Sequence, residues 1–90
     1  MIMLYKIYIG ANNTTNRVES TKAIKILSKE YNGLTIIKST GYWKGKPEKS
    51  MVVEIETDNK TKLVKIVNNL RDQLKQQAIG LARIGKLEFI

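Results

Sequence analysis

Between Met3 and Gly10 apolar and polar positions alternate, with Met3, Tyr5, Ile7 and Ile9 on one side of an extended chain and Leu4, Lys6 and Tyr8 on the other. A period of two marks a strand buried on one face. The polar stretch Gly10-Ala11-Asn12-Asn13-Thr14-Thr15 then reads as a loop. Asn16, with Glu19 three residues on, has the form of a helix N-cap and its reciprocal partner. The helix that follows carries Ala23, Ile24, Leu27 and Tyr31 on one stripe and Lys22, Lys25 and Lys29 on a solvated one. Asn32-Gly33 supplies a left-handed stop.

Leu34 to Trp43 reads as a long β segment, and Lys44-Gly45-Lys46-Pro47-Glu48-Lys49 as a turn-rich loop. Ser50 to Thr57 forms the partner strand, with Met51, Val53 and Ile55 facing one way and Val52, Glu54 and Glu56 the other. Asp58 or Asn59 caps a second helix. Its apolar positions, Leu63, Ile66, Val67, Leu70 and Leu74, keep the cleanest helical period in the chain. After Gln76 the pattern shortens to a last strand, and Gly85 interrupts it as a bulge or turn.

Strand, helix, hairpin, helix, strand predicts an α+β ferredoxin-like βαββαβ sandwich, with an antiparallel sheet in the order 4-1-3-2 and both helices on one face. The 90 residues make a single domain, 1–90. A chain of this length buries roughly 60–65% of its unfolded surface, enough for one core and no deep cavity. A small-molecule site is therefore expected in a surface groove or between subunits. The strand order places Glu54 and Glu56, on the outer sheet face, between Lys6 and Lys38 of the neighbouring strands. That face is then expected to be a charge ladder.

Composition narrows the chemistry. The chain has no cysteine and no histidine. This removes thiolate zinc sites, cysteine nucleophiles, the usual general base and the commonest metal ligand. Eight carboxylates remain, which argues against a hydrolase, and no metal or cofactor is expected. Met1–Lys6 lack a basic n-region and a long apolar stretch, so no signal peptide is expected, and no stretch reaches the ~20 apolar residues that a membrane span needs. The chain reads as cytoplasmic, with no membrane partner.

The net charge is +8, and 13 of the 16 basic residues are lysine. Such a charge favours anionic partners, although lysine-rich AT-biased coding produces it as well. Base stacking on the outer face is disfavoured, because Glu54 and Glu56 would repel a phosphate backbone. Those two side chains sit about 7 Å apart on one face. That spacing suits a metal or an acid–base pair, but the flanking lysines make salt bridges the better reading. The distinctive segment is the one from Trp43 to Ser50. Trp43 with Lys44, Lys46 and Lys49 could hold a nucleotide by charge and stacking, with Tyr5 or Tyr8 as a second aromatic. The bland alternative is a solvated hairpin tip. No phosphate-cradling Gly-x-x-x-x-Gly-Lys-Ser/Thr pattern is present.

Tyr5-x-x-Tyr8-x-Gly10, Gly33-Leu34-Thr35, Gly41-x-Trp43, Glu48-x-Ser50 and Gln77-Ala78-Ile79 occur in this order along most of the chain. The set resembles a family of small bacterial and phage proteins with a ferredoxin-like fold and no assigned activity. Ala78-Ile79-Gly80-Leu81 departs from that family's plainer last strand. The resemblance implies that Trp43–Ser50 is more than an arbitrary loop. In a phage, the natural form of such a protein is an inhibitor of host defence.

The expectation drawn from all this is a non-enzymatic, homo-oligomeric binding module. It captures an anionic ligand, such as a nucleotide, or an acidic or nucleic-acid-binding protein. One alternative is an enzyme of the dimeric α+β barrel type with an inter-subunit site, using Glu48, Glu54, Tyr5 or a lysine as its base. The other is a protein–protein adaptor that uses the lysine-rich helices.

Overall fold

The computed structural model describes residues 1–90, which form β1 (Met3–Gly10), α1 (Ser20–Ser28), β2 (Thr35–Trp43), β3 (Lys46–Thr57), α2 (Lys60–Gln73) and β4 (Gly80–Lys86). The strands make one sheet in the order β2-β3-β1-β4, with every neighbouring pair antiparallel. This is the 4-1-3-2 order the sequence predicts. No helix is long and apolar enough to cross a membrane.

The alternation in β1 and β3 explains the core. Tyr5, Ile7 and Ile9 stand directly opposite Ile55, Val53 and Met51, and all six are buried. Residues paired across an antiparallel ladder share a face, so these six present one apolar surface. Ala23 and Leu27 of α1, Leu63, Val67 and Leu70 of α2, and Leu74 just beyond it close over that surface. Each fully buried aliphatic side chain here contributes about 1.5–3 kcal/mol relative to exposure. Both helices occupy this face, and the other face carries no element.

Of the two candidates, Asp58 and Asn59, it is Asn59 that caps α2, its Oδ1 accepting from the Lys62 N–H at 3.0 Å. The end of α2 is closed by paired bonds from the Lys75 N–H to the Asp72 carbonyl (3.2 Å) and from the Gln76 N–H to the Arg71 carbonyl (3.0 Å). That is a Schellman ending with Lys75 in the left-handed position at φ 55°. In β4 the register against β1 shifts between Leu4 and Tyr5, because Leu4 faces Gly85 while Tyr5 faces Arg83. The bulge expected at Gly85 is therefore present, and Gly85 lies at φ 153°.

Four expectations are corrected. Helix α1 begins at Ser20 with Glu19 at its N-cap and no side-chain cap bond, while Asn16 sits in the preceding loop at φ 61°. Asn12 organises that loop instead, its Oδ1 accepting from the Thr14 and Thr15 N–H groups. Second, α1 ends at Ser28 with Lys29 as its C-cap in right-handed helical geometry, and neither Asn32 nor Gly33 has a positive φ. Third, the turn-rich loop shrinks to two residues. Lys44 at φ 50° and Gly45 at φ 77° form the tight turn whose twist suits a hairpin, and Lys46 is already in β3.

The fourth correction is to the charge ladder. Lys6 meets Glu54 at 3.7 Å, but Lys38 stands opposite Met51. Since Met51 points to the core, Lys38 lies on the helix side of the sheet, away from the glutamates. Both phases of β2 carry an isoleucine, Ile36 and Ile37, and Ile36 is the one set opposite inward-facing Val53.

Candidate anion-binding cleft

Strand β1 ends where Gly10 meets Ser50, but β2 and β3 continue pairing through Thr40–Lys49, Gly41–Glu48, Tyr42–Pro47 and Trp43–Lys46. The hairpin thus projects about 13 Å past β1 as a two-stranded arm. At the base of this arm, on the helix side, a cleft of about 870 Å³ opens between the start of α1 and strands β2 and β3. Its apolar lining is Val18, Ile24, Ile36 and Met51, and its cations are Arg17, Lys38 and Lys49.

Strand register and loop closure place the three cations. Lys38 and Lys49 come from the helix-facing phases of β2 and β3, set by the Lys38–Met51 and Thr40–Lys49 pairs. Arg17 closes the loop before α1, its carbonyl accepting from the Asn12 N–H at 2.8 Å. Ser20, Ser39, Thr40 and Ser50 complete the polar lining. No carboxylate lines the cleft, and none of its three cations takes part in an ion pair. Ser20 belongs to the first turn of α1, where no side chain caps the backbone N–H groups. That end of a helix carries partial positive charge. The arrangement suits a ligand with an anionic head and an apolar body.

The residues singled out from sequence are dispersed. Lys49 lines the cleft. Trp43 pairs with Lys46 on the opposite side of the arm, 65% exposed, with the Lys44 Nζ 5.9 Å from its ring centroid. Tyr8 is on the uncovered sheet face, and Tyr5 is in the core at 4% exposure, where it cannot stack on a surface ligand. The structure therefore does not bring Trp43, Lys44, Lys46 and Lys49 onto one face. Arg17 and Lys38 were missed. The inward phase of Lys38 depends on long-range register, and Arg17 on the Asn12 loop, neither of which shows as a local pattern.

No family model matches the sequence, and no curated protein matches it. Among solved structures, a phage SAM lyase in complex with S-methyl-5'-thioadenosine superposes with a TM-score of 0.65 at 14% identity, covering 94% of this chain and 90% of that one. The divalent cation tolerance protein CutA1 of Thermus thermophilus gives 0.65 at 12% identity, over 100% and 88% of the two chains. CPII, a nitrogen regulatory PII-like protein from Thiomonas intermedia K12 bound to ADP, AMP and bicarbonate, gives 0.64 at 10% identity, over 100% and 98%. The fold is ferredoxin-like. At these identities the likeness concerns the arrangement of the chain and nothing further.

Proposed function

We propose that this chain is a small, homo-oligomeric binding module without catalytic activity that captures a phosphate-bearing nucleotide in the cleft between α1 and the β2–β3 hairpin. The observation that carries this reading is the set of three cations, Arg17, Lys38 and Lys49, around an apolar floor with no carboxylate among them. Unpaired positive charge gathered in a concave site focuses an anion there. Val18, Ile24, Ile36 and Met51 offer the ligand's base or sugar an apolar surface. Two ferredoxin-like neighbours support the ligand class, one described with ADP and AMP and one with a thioadenosine. In a phage setting, sequestering a nucleotide signal of host defence is the matching role.

Titration calorimetry with ADP and AMP tests the cleft. Binding should be detectable, should weaken as salt rises, and should fall at least tenfold when Arg17, Lys38 and Lys49 are changed together to serine. Equal affinity in the triple variant would remove the cleft from the reading.

A second reading has an observation of its own. A phage SAM lyase shares this fold in both its ligand-bound and apo states, and Glu48 here stands on the arm beyond β1, free of any ion pair. An enzyme with a site between subunits would use that carboxylate. Turnover of SAM that disappears in Glu48→Gln and survives in Glu54→Gln would favour this second reading; no turnover in the unaltered chain would end it.

A further inference from the structure

We infer that the uncovered face of the sheet is the surface through which a second copy of this chain packs, around an apolar row that crosses all four strands. This names the interface of the oligomer and rests on the oligomeric part of the proposed function. It does not depend on what the cleft binds.

The row follows from the register. Ile37 of β2 stands opposite Val52 of β3, Val52 opposite Tyr8 of β1, and Tyr8 opposite Gly80 of β4. Ile37, on the edge strand β2, and Tyr8, on the interior strand β1, remain 42% and 47% exposed. Gly80 shapes the end of the row. A Cβ there would lie 3.3 Å from the Tyr8 Cβ and 3.4 Å from its Cδ2, so the glycine lets the tyrosine ring lie against the β4 backbone.

The polar rows on either side are already partnered. Lys6 pairs with Glu54 at 3.7 Å, and the Ser39 and Ser50 hydroxyls share a 2.7 Å hydrogen bond. Covering these two rows buries no lone charge, and the unpaired Lys46, Glu48 and Glu56 of the same face lie toward its two ends. Unpartnered lysines there would have made coverage costly.

Charge decides which partner fits. The chain carries +8 overall, so two copies repel through most of their surfaces. By the strand phases, the charged residues of this face are Lys6, Lys46, Glu48, Glu54 and Glu56; two positive and three negative charges leave it at −1. The positive excess lies entirely elsewhere. A nucleic acid would meet three carboxylates, and an acidic protein would find no basic patch. A second copy brings a face of the same −1 charge, a far weaker repulsion than the positive surfaces of two +8 chains would give. The size is also adequate. Four strands of about seven residues, plus the arm, project on the order of 600 Å², near the ~800 Å² per partner of a standard interface.

Light scattering on the unaltered chain should give at least twice the 10.3 kDa protomer mass. Tyr8→Lys combined with Val52→Lys should return it to 10.3 kDa with its circular dichroism retained. Because that variant could unfold, a second measurement uses the absence of cysteine. Ala82→Cys on the uncovered face should crosslink copies efficiently with a short bis-maleimide, and Lys25→Cys on α1 should not. A monomeric unaltered chain, or equal crosslinking at both positions, would overturn the interface. ADP titration of the same samples keeps the two readings apart. ADP binding by a monomer would sink the interface and leave the cleft standing, whereas an oligomer blind to ADP would do the reverse.

Discussion

The Lys22 Nζ donates a 2.9 Å hydrogen bond to the backbone carbonyl of Gln73, joining the first turns of α1 to the last residue of α2. A cation at this position answers both an unpaired terminal carbonyl and the negative end of the helix dipole. Lys22→Met should therefore lower stability by about 0.5–1 kcal/mol. Urea denaturation would register this as a lower midpoint with an unchanged slope.

Lys75 holds a backbone conformation that suits glycine. At φ 55° its Cβ crowds the chain, at a cost of roughly 1 kcal/mol. Lys75→Gly should raise stability by about that amount, less whatever the freer unfolded chain gives back. A midpoint that falls would show the lysine side chain holding the helix end by some other means.

The tight turn makes the opposite demand. Gly45 sits at φ 77° beside Lys44 at φ 50°, and a side chain at Gly45 is strained there even though it meets no neighbouring atom. Gly45→Val should loosen the arm, while Lys44→Asn should firm it, since Asn-Gly is the favoured pair for such a turn. Amide hydrogen exchange at Trp43 and Lys46, the pair that closes the turn, reads the arm directly, and the core strands should not change.

Tyr31 gives a prediction in pH. Its hydroxyl is buried without a hydrogen-bond partner, and burial, with a smaller contribution from Glu30, raises its pKa above the usual 10.0. The neutral form is thus favoured by folding. Its contribution is complete below pH 10 and is lost as pH rises through the raised value. Spectrophotometric titration should show a tyrosine step above the usual 10.0, and Tyr31→Phe should abolish that step. Since the hydroxyl bonds to nothing, the same variant should be no less stable at neutral pH.

Nucleotide binding should also appear as stabilisation. At 100 times its dissociation constant a ligand specific for the folded state adds about 2.7 kcal/mol. ADP should raise the thermal midpoint of the unaltered chain and leave that of the Arg17, Lys38 and Lys49 serine variant in place.

How far the sequence speaks for itself depends on the range of the signal. The period of two in β1 and the five apolar positions of α2 are local, and both elements stand where those patterns put them. Asn59 announces its cap in the same way. Lys38 is different. An isoleucine in each phase of β2 left its facing open until pairing with β3 settled it, and with it went half of the charge ladder and one wall of the cleft. Pro47 misled for a related reason. Proline usually marks a turn, but here it lies opposite Tyr42 in an arm with no third strand beyond it, where a missing ladder donor costs little. Of the candidate site, only Lys49 was legible.

The central place of β1 also has a kinetic side. Met3 pairs with Thr57 on one flank and with Lys86 on the other, so the sheet cannot be completed until the last strand is available. Closures over such long stretches of chain slow folding, and meanwhile one edge of β1 is left open to other chains. Removing residues 80–90 should therefore yield aggregates, not a smaller version of the fold. The earliest strand of this protein waits for the latest.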